Sequence, residues 1–288
     1  MANTLSTKTL RDKYRAAQIQ QALRNAVVAE KVCIVDRSEL KTISSPYITA
    51  VTSTVQAVVG TYSPAAITTS DDTLTVADEV IAATHIFNFE QTTANFDLFY
   101  TANQAITNSI VTAVDKWVVN CLCEDGNGAY TTPAGGFTTA SNVATILANI
   151  ISKVSGYADA MNGMYVIVEN TDLTGIIVSQ SNSGYSYADA ALNNGFVTSM
   201  LGVDIYVVRS GTFVDATTST ASGSKTWTNL GHRVGGVKKV ATYAAPRGLQ
   251  FEEKGVTGKT GMEVVGYGYV GFKQWTPTQD LTIDITLA

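Results

Sequence analysis

The chain has 288 residues, of which 45% are hydrophobic and 15% are charged, so it can bury a substantial core in one large or two ordinary domains. No stretch is long and apolar enough to span a bilayer, the first residues lack the apolar core of a signal peptide, and three cysteines do not make a disulfide framework. The low charged fraction favours a surface that is covered in part by sister subunits.

The net charge of −5 conceals a segregation along the chain. Residues 1–41 carry a balance of +4, residues 42–224 carry −12 and residues 225–288 carry +3. Basic ends and an acidic middle can place opposite charge on different faces of a protein. A chance distribution of charged residues that serve only to solvate the surface is the alternative, and these counts do not reject it.

The first fifty residues predict an arm with a helical piece, because their apolar positions are too loosely spaced for a strong core helix. From residue 49 to about 83 the chain is rich in Thr and Val and nearly without Lys and Arg, which favours extended strands. Turn residues stand at 63–64 and 70–72. We predict a long two-stranded excursion, which is marginal alone and stable when it lies on a neighbouring subunit.

The clearest helical pattern lies between residues 93 and 124, where apolar residues recur at three- and four-residue steps. Asn95 is placed to cap its start, with Asp97 in the first turn. At a rise of about 1.5 Å per residue the helix would be roughly 40 Å long, which suits a structural spine. Its predicted inward stripe is Phe96, Phe99, Ile106, Ile110, Val114, Trp117, Cys121 and Leu122.

Residues 141–210 predict an α/β unit. It contains a capped helix from about 141 to 154, a buried strand at 164–170, a short helix that carries Ile176 and Ile177, and a strand at 202–210. The Thr- and Ser-rich segment 211–228 is typical of an exposed loop or tip. The last sixty residues predict strands, and one of them alternates tyrosine with glycine before a Trp-Thr-Pro turn.

The histidines and glycines do not form a catalytic or nucleotide-binding motif. His85 and His232 are the only imidazoles, and neither stands in a recognised nucleophile context. The glycines of Gly266–Gly271 have dinucleotide-fingerprint spacing, but the chain continues extended to a proline where a helix is required. We predict no enzyme, no catalytic residue and no cofactor.

The acidic pairs and the cysteines do not predict a metal site. Asp71-Asp72 and Asp78-Glu79 could chelate a hard cation, but acidic pairs on an exposed hairpin usually serve solvation. Cys121 and Cys123 could contact a soft metal, yet the chain has no second thiol pair. We interpret them as buried free thiols and predict no metal.

The order of these segments resembles the major capsid protein of tailed bacteriophages, which has the HK97-like fold. The most specific match is Gly261 to Phe272, Gly-x-Glu-Val-Val-x-Tyr-x-Tyr-x-Gly-Phe, followed by Trp-Thr-Pro and Leu-Thr-Ile-Asp-Ile. This pattern is similar to the close of many such coat proteins. The segment order covers nearly the whole chain, whereas the residue match covers the final forty or so.

The resemblance implies an α+β fold with four parts. These are an N-terminal arm (1–48), an extended β-hairpin called the E-loop (49–88), a P-domain with the spine helix and long strands (89–139 and 229–288), and an α/β A-domain (140–228). In the Tyr/Gly strand we expect one face to pack on the spine helix near Trp117 and Ile110. We expect glycines on the other face to admit a neighbouring backbone.

The implied function is a structural protein that self-assembles into the icosahedral head shell of a tailed phage around double-stranded DNA. Expected partners are copies of itself as hexamers and pentamers, a separate scaffolding protein, a portal and decoration proteins, with no membrane. The expected location is the virion, after synthesis in the host bacterial cytoplasm. Basic residues of the arm could face the DNA through sequence-independent phosphate contacts or serve solvation alone: Lys8, Arg11, Lys13, Arg15 and Arg24.

Two alternatives stay open at this point. An encapsulin-type nanocompartment would keep the fold and enclose an enzyme instead of DNA. A tail-tube or surface adhesin protein would account for the Thr- and Ser-rich β character, and it would contain little helix.

Overall fold

A computed structural model describes residues 28–48, 69–88, 98–155, 163–182, 196–220, 223–246, 248–256, 258 and 260–288. The helices are α1 (Ala29–Val32), α2 (Leu98–Asp125), α3 (Ala140–Val154) and α4 (Leu173–Asn182). The strands are β1 (Ile34–Asp36), β2 (Thr42–Ile48), β3 (Thr69–Thr75), β4 (Asp78–Ile86), β5 (Gly128–Thr131), β6 (Met164–Glu169), β7 (Phe196–Met200), β8 (Val203–Val208), β9 (Asp215–Thr220), β10 (Gly223–Thr228), β11 (His232–Val237), β12 (Ala241–Ala244), β13 (Gln250–Gly255), β14 (Met262–Gln274) and β15 (Thr282–Thr286). No helix in these ranges is long and apolar enough to cross a membrane.

The long helix α2 forms the axis on which both large sheets pack. The predicted stripe is confirmed at Ile106, Ile110, Cys121 and Leu122, which are buried, while Phe96 lies outside the described residues. The second half of α2 is buried on more than one face, because Val118 and Val119 share a core cluster with residues of both sheets. A single stripe is therefore too narrow a description of the helix beyond about residue 117.

One sheet is organised around the thirteen-residue strand β14. Its first half pairs antiparallel with β13 on one edge and β4 on the other, and its last four residues pair with β12, which in turn pairs parallel with β1. Because side chains alternate along a strand, even-numbered residues face α2. Val264 packs with Ile106 and Ile110, and the Phe272 ring meets Trp117 edge-on with centroids 6.4 Å apart.

The glycines Gly266 and Gly268 lie on the helix face of β14, and Tyr267 and Tyr269 lie on the opposite face. The expectation that the strand packs on the helix near Ile110 is confirmed, whereas the expectation that the glycines lie on the other face is wrong for Gly266 and Gly268. A Cβ atom on Gly266 would lie 2.4 Å from Cγ2 of Ile106, so the absence of a side chain is what lets helix and strand approach. The expected backbone approach on the other face occurs at Gly271, within the same chain, where the Thr75 oxygen would be 3.0 Å from a Cβ.

The second sheet has six strands in the order β5-β15-β11-β6-β8-β7 and is covered on both faces. One face packs on α1 and α2 through Tyr165, Ile167 and Val234. The other face packs on α3 and α4 through Val166, Val168 and Ile283. The predicted inward side of α3 is confirmed, since Val143, Ile146, Leu147, Ile150 and Val154 are fully buried. Strand β6 is buried at every position, as expected for a strand between two layers of helices.

The extended excursion begins earlier in the chain than the sequence indicates. Strand β2 pairs antiparallel with β3 from Thr42↔Thr75 to Ile48↔Thr69, and residues 49–68 between them lie outside the described ranges. Strand β4 belongs to the body, where it pairs with β14 along nine residues. Alternation of Thr and Val identifies strands but not their partners, so the pairing was not visible in the sequence. The domain boundaries themselves stay predictions.

The Thr-rich segment predicted as a loop or tip forms a two-stranded ribbon. Strands β9 and β10 pair from Gly223↔Thr220 to Thr228↔Asp215, and the hydroxyls of Thr217 and Thr226 lie 3.1 Å apart across the pair. The β-branched threonines favour this extended pairing. Low hydrophobicity concealed the strand character, and three residues of the segment that was predicted to be exposed are buried, namely Thr212, Phe213 and Trp227.

Replacing Gly266 with alanine tests the contact between β14 and α2. The new Cβ would overlap Ile106, which is β-branched and fixed in the core, so we expect the free energy of unfolding to fall by about 1–3 kcal/mol. Gly255→Ala is the matched control, because a Cβ there meets no atom within 4 Å. It should change stability by less than about 0.5 kcal/mol. Urea unfolding of the purified subunits measures both, and equal stabilities for the two variants would contradict the packing described.

Candidate functional site

The base of the β2–β3 hairpin is fixed to the body by Asp72. Its Oδ2 accepts hydrogen bonds from the amide nitrogen (2.8 Å) and the hydroxyl (2.7 Å) of Thr276, and Nζ of Lys273 lies 2.7 Å from its Oδ1. Burial alone would raise the pKa of this carboxyl, but the hydrogen bonds from Lys273 and Thr276 outweigh it and lower the pKa to about 2. Asp72 therefore stays ionised and acts as a clamp.

Apolar contacts also hold the base of the hairpin against the body. Leu74, Val76 and Ala244 form a small buried cluster with Trp275 at its edge, and the Trp275 Nε1 donates to the Thr242 hydroxyl at 2.8 Å. These contacts lie on the last residues of β3 and the turn after it. The far end of the hairpin carries Ile48, whose exposed fraction is 61%. The hairpin is thus held at one end and projects at the other.

The described part of the arm is anchored in the core. Asp115 on α2 is buried, and its Oδ1 accepts hydrogen bonds from the backbone nitrogens of Val28 (2.9 Å) and Ala29 (2.7 Å). Burial raises the pKa of Asp115 to about 6, against the lowering effect of these two bonds. A second clamp comes from Lys239, whose Nζ donates to the carbonyl oxygens of Glu30 and Cys33. Residues 28–36 are therefore part of the folded body.

A network of buried charges holds the loop that leads into the β9–β10 ribbon. Arg233 forms ion pairs with Asp172 and with Glu169, and each of the three is at most 8% exposed. Oε1 of Glu169 accepts hydrogen bonds from the backbone nitrogens of residues 211–213. Asn120 of α2 adds a bond to the oxygen of Thr212 at 2.8 Å. The ribbon thus leaves the body from a rigid base, as the hairpin does.

Apolar residues are exposed on the face of β4 and β14 that points away from α2. Ile81 is paired with Tyr267 across the two strands and is 60% exposed. The Tyr267 and Tyr269 rings meet edge to face with centroids 6.0 Å apart, and Tyr269 is 43% exposed. Exposed aromatic and aliphatic residues that adjoin one another are typical of surfaces that contact other proteins.

A groove of about 510 Å³ lies between the arm root, α2 and β14. Its walls include Val35, Ile110, Val114 and Leu249. At its rim the side chains of Glu30 and Arg37 pair with each other at 3.5 Å, and its buried acid, Asp115, is already bonded to the backbone. The groove therefore lacks the converging polar groups that orient a small substrate.

One cluster contains the residue types of a nucleophilic triad without its geometry. Sγ of Cys123 lies 3.0 Å from Oδ1 of Asp284, and Nδ1 of His232 lies 2.9 Å from the same oxygen. The carboxylate therefore stands between thiol and imidazole, whereas an activated thiol requires the imidazole beside it. Burial and Asp284 raise the pKa of the Cys123 thiol, which is the opposite of activation.

The sequence-predicted functional residues fall into two groups. Lys8, Arg11, Lys13, Arg15 and Arg24 lie outside the described residues, so their role stays a prediction. The structure describes the acidic pairs, and it contradicts the solvation interpretation for Asp72, which is buried and clamped. The glycines of Gly266–Gly271 lie inside β14, as the sequence argument against a dinucleotide site required.

Comparison with known proteins identifies the fold. No protein-family model matches the chain, and no curated protein matches it. Solved structures do match, over nearly the whole length of this chain and of their own chains. They include the capsid of Cyanophage P-SCSP1u (16% identity, TM-score 0.72, 99% of this chain and 95% of that one) and Mycobacterium phage Che8 (15%, 0.73, 98% of each chain). The capsid of Myoviridae Phage XM1 also matches (12%, 0.64, 100% of each chain).

The chain therefore has the HK97-like capsid fold, as the segment order predicted. The α+β class is confirmed by the mixed helices and sheets. The coverage extends to nearly the whole of both chains in each comparison.

The Asp72 clamp predicts a position-specific loss of stability. Asp72→Asn removes the charge that Lys273 and Thr276 stabilise, and we expect a loss of about 1–3 kcal/mol at pH 7. Asp71→Asn, at the neighbouring exposed position, is the control and should change stability by less than about 0.5 kcal/mol. Urea unfolding measures the difference, and hydrogen exchange should rise in residues 69–76 of the Asp72 variant only.

The same clamp has a pH dependence of definite sign. Because the folded-state pKa of Asp72 is lowered to about 2, from about 3.9 in an unfolded chain, its stabilising contribution is complete at neutral pH. It is lost as the pH falls from about 4 through 2. The stability difference between wild type and Asp72→Asn should therefore shrink over that range. A difference that is independent of pH would show that the carboxylate charge is not what holds the hairpin.

Proposed function

We propose that this protein is the structural major capsid protein of a tailed phage, and that it assembles with copies of itself into the icosahedral head shell around double-stranded DNA. The observation that carries the proposal is the match to phage capsid structures over 95–100% of the neighbours' own length. These matches cover 98–100% of this chain and so extend to the hairpin, whose far end is exposed at Ile48.

The proposed mechanism is the burial of projecting elements on adjacent subunits. The β2–β3 hairpin is fixed at its base and exposed at its far end, so a neighbouring subunit can bury what the body cannot. Ile81, Tyr267 and Tyr269 offer an exposed apolar surface of the kind that such an element covers. Each contact is repeated at every subunit of a closed symmetric shell, and interfaces of this obligate class bury about 2,000 Å² or more.

The proposal includes hexamers and pentamers of the one subunit. It also includes a separate scaffolding protein, a portal and decoration proteins as partners. The protein would be made in the cytoplasm of the host bacterium and would be located in the virion. The proposed role needs no catalytic residue.

The structure argues against one of the two alternative functions and is compatible with the fold of the other. A tail-tube or adhesin protein with little helix does not fit, because α2 alone has 28 residues and the fold matches capsids. An encapsulin-type shell shares the fold, and it predicts co-purification of a cargo enzyme rather than DNA. The phage capsids among the structural neighbours favour the head shell.

Electron microscopy of the protein purified after expression alone or with its scaffolding partner tests the proposal. We expect closed shells or ring-shaped capsomers of uniform size. Removal of residues 1–27, which leaves the core-anchored residues 28–36 in place, should give folded subunits or small capsomers without closed shells. A protein that remains monomeric at millimolar concentration with the partner present would contradict the proposal, and closed shells from the truncated chain would contradict the role of the arm.

The DNA-facing role of the arm has its own test. Replacing Lys8, Arg11, Lys13, Arg15 and Arg24 by glutamine removes five positive charges that can displace counterions from phosphates. We expect these variants to form shells that retain less nucleic acid and whose binding to DNA depends less steeply on salt. Absorbance at the nucleic-acid maximum and a salt titration measure this. Unchanged nucleic-acid content would show that the charges serve solvation.

A further inference from the structure

Three side chains with different metal-binding atoms converge where α2 ends against the six-stranded sheet. Cys123 comes from the last turn of α2, His232 opens β11, and Asp284 lies in β15. The sulfur, an imidazole nitrogen and a carboxylate oxygen all lie within 4.8 Å of one another. The three residues are up to 161 positions apart in sequence, so the fold alone brings them together.

The two measured separations are close to those that one small cation imposes. The Cys123 sulfur is 3.0 Å and the His232 Nδ1 is 2.9 Å from Oδ1 of Asp284. Bonds of about 2.3 Å to sulfur and about 2.0–2.2 Å to nitrogen and oxygen, at tetrahedral angles, place ligand atoms about 3.4–3.6 Å apart. These two separations must therefore grow by about half an ångström, and the sulfur–nitrogen separation, at most 4.8 Å, must be about 3.6 Å. Small side-chain rotations supply that change.

The solvent exposure of the cluster leaves room for a fourth ligand. Cys123 is 2% exposed, so its sulfur is shielded. The side chains of His232 and Asp284 are 24% and 23% exposed, which opens one side of the cluster to water. A shielded thiolate with two partly exposed ligands corresponds to a site with three protein ligands and one water.

We propose that Cys123, His232 and Asp284 form a binding site for Zn²⁺ or a similar divalent transition metal. The ligand set selects this class, because thiolate and imidazole suit zinc and its neighbours, whereas Ca²⁺ and Mg²⁺ require oxygen ligands. Two ionised ligands, the thiolate and the carboxylate, balance the charge of the ion. The sequence analysis predicted no metal because the chain has no second thiol pair to complete a site. In the folded chain a histidine and an aspartate lie beside Cys123 and can complete the site instead.

Binding changes the protonation of the site in a defined way. Without metal the buried thiol keeps its proton and donates it to Asp284. Metal binding forms a sulfur–metal bond and releases that proton to solvent. The proton that Nδ1 of His232 donates to Asp284 moves to Nε2 by exchange with solvent, which leaves the Nδ1 lone pair for the metal. One proton leaves per ion when the imidazole is neutral beforehand, so the apparent affinity rises with pH.

The position of the site gives the metal a structural role. Cys123 is at the end of the long helix, and the two other ligands are on adjacent strands of the second sheet. A bound ion would therefore join the helix that packs on β14 to the sheet that carries the A-domain helices. Because the ion binds the folded chain, it should raise the unfolding temperature with the logarithm of its concentration once that concentration exceeds Kd.

Titration of the chelator-treated full chain with Co²⁺ alone, followed by Zn²⁺, tests the proposal. We expect one cobalt ion per chain, a thiolate-to-cobalt charge-transfer absorption, and displacement of the cobalt by zinc. Cys123→Ser should abolish the absorption. Cys121→Ser is the matched control, since Cys121 is a similarly buried cysteine on the same helix and is not part of the cluster, and its titration should equal that of wild type.

A variant at His232, the partly exposed imidazole ligand, keeps the test valid if Cys123→Ser does not fold. His232→Gln leaves the buried core unchanged and should weaken metal binding by at least about 100-fold, since loss of outer-shell partners alone costs about 10- to 100-fold. Absence of the charge-transfer band at saturating cobalt in folded wild type would overturn the proposal. So would binding that is equal in wild type and His232→Gln.

Discussion

The contact between the glycine face of β14 and the long helix α2 is the constraint on which the rest of the structure depends. Gly266 brings the strand to within contact of Ile106 and Ile110, and this closeness sets the position of β4 and β13 on either edge of β14. The other half of α2 is buried by both sheets at once. One helix thus fixes two sheets relative to each other, and the projecting hairpin, ribbon and arm all start from this frame at polar clamps.

The clamps share one physical design. Asp72 receives two hydrogen bonds and an ion pair at the base of the hairpin, and Asp115 receives two backbone bonds at the arm root. Glu169 receives three backbone contacts beneath the ribbon. Buried carboxylates are costly unless they are bonded, so each clamp is rigid once it forms. Each projecting element thus starts from a base that the body holds in place.

The sequence predicted those features that depend on local periodicity. The spine helix, the inward face of α3, the buried strand β6 and the α+β class follow from the spacing of apolar residues, and the structure confirms them. Strand partners did not follow, because the local pattern of β2, β3 and β4 predicts extended chain in each case and only long-range pairing distinguishes the hairpin from the body. The clamps were missed for the same reason: Asp72, Asp115 and Cys123 have partners more than 80 residues away.

The central claim is that the body is complete within one chain while its projections are completed by other copies. Hydrogen-exchange mass spectrometry on dissociated subunits and on assembled shells tests this most directly. The account predicts that α2 and β14 are protected in both states, and that the far half of the β2–β3 hairpin gains protection only in the shell. Equal protection of the hairpin in the two states would contradict the account.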